Sequence, residues 1–247
     1  MGYEELLTYY PGKDLAQGHI FLVDKPLGWT SFNVVGKVRH LLRRYLGLRS
    51  IKVGHAGTLD PLATGLMVVC VGRATKLAGM LTGEDKRYLA TFTLGATTAS
   101  YDRETAVDAE YSVEHITPEA IIRAAESFLG VYQQVPPLFS AKRVEGKRAY
   151  EVARKGREVE LLPVPVTIKR FCVLGVEMPN VEADVVCSKG TYIRALARDF
   201  GQRLGCGAHL NALRRTASGG FSLQDAMSPE ELEQFLRLVG EGQPKFD

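Results

Sequence analysis

Asp60 is the residue in this chain whose setting most suggests chemistry. It stands in GHAGTLDPLATG, Gly54 to Gly65, where Gly54, Gly57 and Gly65 permit positive φ angles and let another backbone approach closely. Pro61 disfavours the helical region for the residue before it, which biases Asp60 toward an extended geometry. The segment therefore predicts a stiff loop holding a carboxylate outward. A glycine-rich Asp-Pro loop is also, by itself, an ordinary turn with a surface aspartate. Hydrolysis of a glycoside would call for a second carboxylate across the scissile bond. Asp60 alone stands in a distinctive setting, so that class is disfavoured.

The other reactive residue types offer less. Cys70, Cys172, Cys187 and Cys206 are far apart, form no CxxC pair and join no His at ligand spacing, so buried reduced thiols are expected. The formal charge of the 247 residues is +3, a mild excess that does not by itself signal nucleic-acid binding. Its distribution says more. Between Lys37 and Lys52 lie Lys37, Arg39, His40, Arg43, Arg44, Arg49 and Lys52 with no acidic residue among them, a local positive patch.

Several elements must position these residues. HIFLV, His19 to Val23, reads as a strand ended by the tight loop DKPLGWTS. A helix is predicted from about Ser31, which can cap it, to Gly47, with Val34, Val35, Val38, Leu41, Leu42 and Tyr45 on its apolar face. After the Gly54 to Gly65 loop, LMVVCVG reads as a buried strand, and Tyr88 to Leu94 alternates in the strand manner. Ala96 to Glu110 reads as polar and irregular. Thr117 and Pro118 open a helix closed by Gly130, and VPPLFSAKRVEGKRAYEVARKG reads as a proline-bounded loop running into a short basic helix. Val164 to Val176 and Val181 to Cys187 read as paired strands. A helix after Gly190 ends at Gly205, and a last helix begins at Ser228.

Strands and helices interleave without βαβ rhythm or a GxGxxG turn. The expected fold class is therefore α+β, with a mixed, largely antiparallel central sheet and flanking helices. The N-terminus has no apolar h-region and no stretch reaches the roughly 18 apolar residues of a membrane span, so a cytoplasmic protein is expected.

The whole string around Asp60 resembles the GHxGTLDPxAxG signature of the tRNA pseudouridine synthase B (TruB) family. Four further blocks match in the same order: DKPLGWTS from Asp24, KRY from Lys86, VPPLFSAKRVEGKRAYEVARKG from Val135 and CSKGTYIRALARD from Cys187. The resemblance runs from about residue 18 to 220 and is to the bacterial stand-alone branch. It implies the pseudouridine synthase fold and isomerisation of uridine 55 in the T-loop of transfer RNA, with no cofactor and no metal. A monomer is expected, as a single catalytic domain over 1–247 without a separate C-terminal RNA-binding (PUA) domain.

By that resemblance Asp60 is the catalytic carboxylate, Arg194 of GTYIR pairs with it, and Tyr88 of KRY stacks on the target base and is placed to move a proton. His55 enters the T-loop as the nucleotide is flipped out. Tyr192 packs beside the pocket, Leu213 covers its floor, and Lys25 with Pro26 supports the loop. Arg215 joins Arg39, Arg43, Arg44, Lys142, Arg143, Lys147 and Arg148 as a candidate for phosphate contact. The chemistry breaks N1–C1′, turns the base and joins C5 to C1′. A carboxylate beneath the sugar can either add to C1′ or take a ribose proton, and the residues leave both routes open. The match departs at TTASYDRET, where the family carries TDTxDxxG: Asp102 is kept, the first acid and the glycine are lost. The competing reading is an RNA-binding or tRNA-folding module with a vestigial pocket.

Overall fold

A computed structural model of the chain describes residues 6–8, 14–138, 143–144, 147–148 and 161–242. In chain order the elements are β1 (His19–Lys25), α1 (Ser31–Leu46), β2 (Val53–His55), β3 (Ala63–Val71), α2 (Ala78–Thr82), β4 (Lys86–Leu94), β5 (Ala96–Thr98), β6 (Val107–Glu110), α3 (Pro118–Glu126), β7 (Gly130–Gln134), β8 (Arg143–Val144), β9 (Lys147–Arg148), β10 (Val164–Glu177), β11 (Asn180–Cys187), α4 (Ile193–Leu204), β12 (Ala208–Ser218), β13 (Phe221–Ser222) and α5 (Pro229–Gly240). The fold is α+β with a mixed, largely antiparallel sheet, as the residue pattern predicts. Two compact units are formed, residues 1–86 with 214–247, and residues 87–213. Among the described residues no helix is long and apolar enough to cross a membrane.

In the first unit β3 is central. It pairs antiparallel with β1, from His19 opposite Val71 to Lys25 opposite Gly65, and on its other side with β2, Val53 opposite Val71. From Gly65 to Val71 every residue of β3 is buried, which is why it reads as an unbroken apolar run rather than an alternation. One face carries the cluster of Ile20, Leu22, Leu66, Val68, Cys70 and Phe221. On β1, Phe21 meets Phe235 of α5 edge-on, ring centroids 6.3 Å apart.

Helix α1 begins where its sequence predicts, but Ser31 is not its cap. Thr30 is: its hydroxyl accepts from the Asn33 N–H while the Asn33 side chain accepts from the Thr30 N–H. Ser31 is buried and serves the loop that carries Asp60, as described below. Gly47, left-handed at φ 67°, ends the helix. Thr30→Ala is accordingly expected to lower stability by about 1 kcal/mol, read as a shift of the urea midpoint. An unchanged midpoint would return the capping role to another residue.

In the second unit β4, β11, β10 and β7 lie side by side in that order, and β10 and β11 form the expected antiparallel pair, Val176 opposite Val181 and Phe171 opposite Val185. Their core holds Phe92, Phe128, Phe171 and Phe200, with centroids 5.1 Å apart between Phe171 and Phe200 and 5.6 Å between Phe92 and each of them. Asp184, polar in the strand alternation, is nevertheless 1% exposed. Arg87 grips it through Nε and Nη2 at 2.8 and 3.0 Å, and Arg170 adds Nε at 2.8 Å, so its charge is covered from both neighbouring strands.

Three expectations give way. The stretch read as irregular contains the β5–β6 hairpin, its ladder running from Ala96 opposite Glu110 to Thr98 opposite Val107. The Gly54 to Gly65 loop is shorter than its string, because Val53–His55 and Ala63–Val71 are strands at either end. Gly130 does not close α3, which stops at Glu126; it opens β7 instead. The short basic helix expected after Pro137 falls on residues mostly outside the described ones, of which Arg143–Val144 and Lys147–Arg148 form a two-rung antiparallel ladder. Lys142, and the side chains of Arg143, Lys147 and Arg148, lie outside the described residues.

Candidate active site on the Asp60 loop

The loop between β2 and β3 is held peptide by peptide. The Arg215 guanidinium donates from Nη2 to the Gly57 carbonyl at 3.2 Å, from Nη1 to Thr58 at 3.4 Å and from Nε to Leu66 at 2.7 Å. Ser31 Oγ accepts from the Leu59 N–H at 2.8 Å and donates to the Leu59 carbonyl at 3.0 Å. The Asp60 carbonyl accepts from Ala63 N–H at 3.1 Å, and the Pro61 carbonyl from Gly28 N–H at 2.9 Å. Every residue from Gly57 to Pro61 is therefore tied to an element elsewhere in the unit or to the loop's own turn. Asp60, half-buried, rides on that frame.

Lys25 completes the frame from beneath. Fully buried, its ammonium donates to the carbonyls of Trp29 at 2.7 Å, Pro26 at 3.0 Å and Pro61 at 3.4 Å. Burial pushes its pKa down to about 8, with Asp60 pulling it back up, Arg215 depressing it further and Asp24 raising it again. At pH 7 the group remains mostly charged. Lys25 thus acts on the loop that carries the acid, and its donors are not turned to a ligand.

Gly65 shows how tightly β12 closes on this loop. With φ 101°, a Cβ there would stand 2.3 Å from the Arg215 carbonyl oxygen, so the backbones can meet only at glycine. Arg214, a residue that sequence reasoning passed over, clamps Asp24 of the DKP block through Nη2 at 2.6 Å and Nη1 at 3.2 Å, and reaches Thr64 at 3.3 Å. Arg215 itself is 1% exposed. This corrects its assignment to phosphate contact: a guanidinium enclosed by three backbone carbonyls braces the loop. The signal was in the sequence only as a basic pair, and nothing local distinguishes the buried member.

His55 ends β2 five residues before Asp60. Burial, and then the Arg215 charge, lower its pKa, so the imidazole is neutral at pH 7. Its Nδ1 is buried and has no hydrogen-bond partner among the described residues. Arg39, His40, Arg43, Arg44, Arg49 and Lys52 are exposed on and after α1.

Arg194, Tyr88, Tyr192 and Leu213 belong to the second unit. Arg194 lies in the first turn of α4, 5% exposed, where Nη1 donates to the Ser100 carbonyl at 3.1 Å and Nε stands 3.5 Å from Asp102 Oδ2. Asp102, expected at most as an RNA contact, is itself 5% exposed. Its loop is tightly drawn: Thr98 Oγ1 donates to the Asp102 carbonyl at 2.6 Å, and Glu104 N–H to its carboxylate at 2.9 Å. Beside it Tyr101 adopts the left-handed region at φ 61°, its ring 5.0 Å beneath the Arg198 guanidinium. The retained acid of TTASYDRET was the one clue to this pair. Tyr88 is buried on β4, while Tyr192 and Leu213 are half-buried.

The first unit thus gathers Lys25, His55, Asp60 and Arg215 around one loop, and the second gathers Arg194 with Asp102. Among the described residues no group of three or more His, Cys, Asp or Glu could hold a metal ion.

Residues 43–193 match the TruB family pseudouridylate synthase N-terminal domain, and residues 194–245 the tRNA pseudouridylate synthase B C-terminal domain. The chain belongs to the TruB family. Asp60 and Tyr88 fall in the TruB N-terminal match, and the junction of the two matches immediately precedes Arg194. The tRNA pseudouridine synthase B of Parabacteroides distasonis is 54% identical over 223 residues, 90% of this chain and 95% of that protein. The protein of the same name from Flavobacterium johnsoniae is 44% identical, covering 91% and 99%. Among solved structures, a chain of a Cbf5-Nop10-Gar1 complex aligns with TM-score 0.70 at 27% identity over 98% of this chain. A chain of an H/ACA RNP bound to a substrate RNA containing 2′-deoxyuridine aligns with TM-score 0.66 at 26% identity over 92%. This TruB chain spans 58% and 56% of those two chains.

Proposed function

We propose that the chain is a cytoplasmic tRNA pseudouridine synthase that converts uridine 55 of the T-loop to pseudouridine, as a monomer and without metal or cofactor. The observation that carries this reading is the bracing of the Asp60 loop, in which Lys25, Ser31 and Arg215 hold the backbone that presents the acid. A preorganised acid of this kind suits a reaction at a sugar carbon. The chemistry starts when the uridine leaves its stack, at a cost of a few kcal/mol. His55, neutral because burial and the Arg215 charge lower its pKa, is suited to take the vacated place by stacking.

Asp60 then acts from beneath the ribose, either adding to C1′ or removing a ribose proton, and the N1–C1′ bond breaks. The uracil turns and C5 joins C1′ as the Asp60–C1′ bond breaks or, on the other route, as the ribose proton is returned; the C5 proton is then lost while N1 gains one. Tyr88 stacks on the base through this rotation and is the group placed to carry that proton; an aromatic face tolerates a turning ring. By the family resemblance Arg194 is the cation that serves the acid, and Asp102 holds Arg194 within its own unit. Tyr192 and Leu213 line the base pocket.

The test is conversion by the purified chain of one uridine in a bare T-arm hairpin, with pseudouridine mapped by position in total tRNA from cells with and without the gene. Binding without conversion would leave an RNA-folding module instead, and free uracil among the products would point to hydrolysis. The exposed guanidiniums of Arg39 and Arg43, one helical turn apart on α1, are assigned to phosphate contact. Replacing both by Gln is expected to flatten the slope of log Kd against log salt by about 1.5 with the chemical step unchanged. An unaltered slope places the RNA backbone elsewhere.

A further inference from the structure

Gln134 ends β7 with no exposed surface, although nothing in its sequence setting marks it. Its amide is directed at one backbone residue. Nε2 donates to the Tyr192 carbonyl at 3.1 Å, and Oε1 accepts from the Tyr192 N–H at 2.8 Å. The second Nε2 hydrogen goes to the Tyr132 hydroxyl. The side chain thus imitates the edge of a neighbouring strand, exchanging both hydrogen bonds with a single residue.

That residue is the N-cap of α4. Tyr192 has no side-chain oxygen in capping position, and its carbonyl also accepts the first helical bond, from Leu196 N–H at 3.0 Å. A helix whose cap residue does not supply its own acceptor leaves its first turn weakly specified. Here Gln134 supplies the specification from outside. The next residue of the same strand end adds a second tie: the Val135 carbonyl accepts from Arg198 Nη2 at 3.0 Å, one turn beyond Arg194. Arg194 is thereby bracketed, with Tyr192 held before it, Arg198 held after it, and Asp102 and Ser100 at its guanidinium.

We propose that Gln134 is a positioning residue for the isomerisation: by fixing the Tyr192 backbone it sets the first turn of α4 and with it the placement of Tyr192 and Arg194. This rests on the reading of those two residues given above. A displacement of about 1 Å at a reacting group is enough to cost roughly 10²-fold in rate, and an unclamped first turn leaves room for it.

Two variants of the full chain test this under single-turnover conditions with saturating T-arm hairpin, at a temperature where both are folded by circular dichroism. Gln134→Met keeps the length and removes both hydrogen bonds to Tyr192 along with the one to Tyr132. Its rate is expected to fall by between ten- and a hundred-fold while the Kd for the hairpin stays within about twofold. A purely structural defect would instead lower active fraction and bound RNA together. Gln134→Glu retains the acceptor for Tyr192 N–H but, ionised, loses the donor to the carbonyl. Protonation restores that donor, so the ratio of its rate to wild type is expected to rise as pH falls from about 8 toward 5.5. A Met variant at the wild-type rate, or a Glu ratio flat with pH, would overturn the assignment. Wild-type chain that forms no pseudouridine removes the functional reading and this inference with it. Active wild type with unaffected variants removes this inference alone.

Discussion

Asp60→Asn is expected to reduce single-turnover pseudouridine formation by at least about 10⁴-fold while the Kd for a T-arm hairpin stays within twofold. The amide matches the carboxylate in shape but can neither add to C1′ nor take a proton, so both routes fail together. The frame survives the change, because its bonds reach the backbone: Arg215 holds Gly57 and Thr58, Ser31 holds Leu59, and Lys25 and Gly28 hold Pro61. Binding and chemistry therefore separate cleanly. Loss of tritium from uridine labelled at C5 reads the rate, and a residual rate of a few per cent would mean that another group does the work.

The second large effect is expected at Arg215, and it is one of stability first. Arg215→Met leaves the carbonyls of Gly57, Thr58 and Leu66 without the donors that now satisfy them. A buried carbonyl stripped of its partner costs about 1 to 3 kcal/mol. The loss is partly offset because a buried guanidinium is itself expensive to desolvate. A net destabilisation of about 4 kcal/mol is expected, together with a reaction at least tenfold slower as the Asp60 loop loosens. Urea unfolding and single-turnover rates measure the two. The salt slope of RNA binding decides between bracing and phosphate contact: it stays at the wild-type value for a brace and drops by nearly one unit for a phosphate ligand. Unchanged stability with a flattened slope would restore the surface role.

These two residues also mark the division between local and long-range information. Asp60 was legible because its constraints are its neighbours in the chain: Pro61 restricts its backbone, and Gly57 and Gly65 supply the φ values of 116° and 101° that shape the loop. The same holds for elements whose patterns are local. The strand β3 announced itself as an apolar run, β4 by its alternation, α4 by its apolar positions and Gly205, and α5 by Ser228 and Pro229 with Glu231 closing the capping box.

What escaped the sequence depends on who meets whom after folding. Arg215 finds Leu66 across 149 positions, Arg194 finds Ser100 across 94, and Gln134 finds Tyr192 across 58. Strand β12 was missed for a related reason, since Asn211, Arg214 and Arg215 interrupt any apolar alternation; the two arginines are half-buried and buried because acceptors await them, and Asn211 accepts from Arg103 Nη1. The turns of the Asp60 loop and the restriction that Pro61 places on its backbone were set by residue types and spacing. Which arginine braces, which faces Asp102, and which amide holds the helix start were decided by tertiary structure alone. A donor's role is fixed by the acceptor it reaches, and most of those acceptors are backbone carbonyls, alike in every residue until the fold brings one within hydrogen-bond reach.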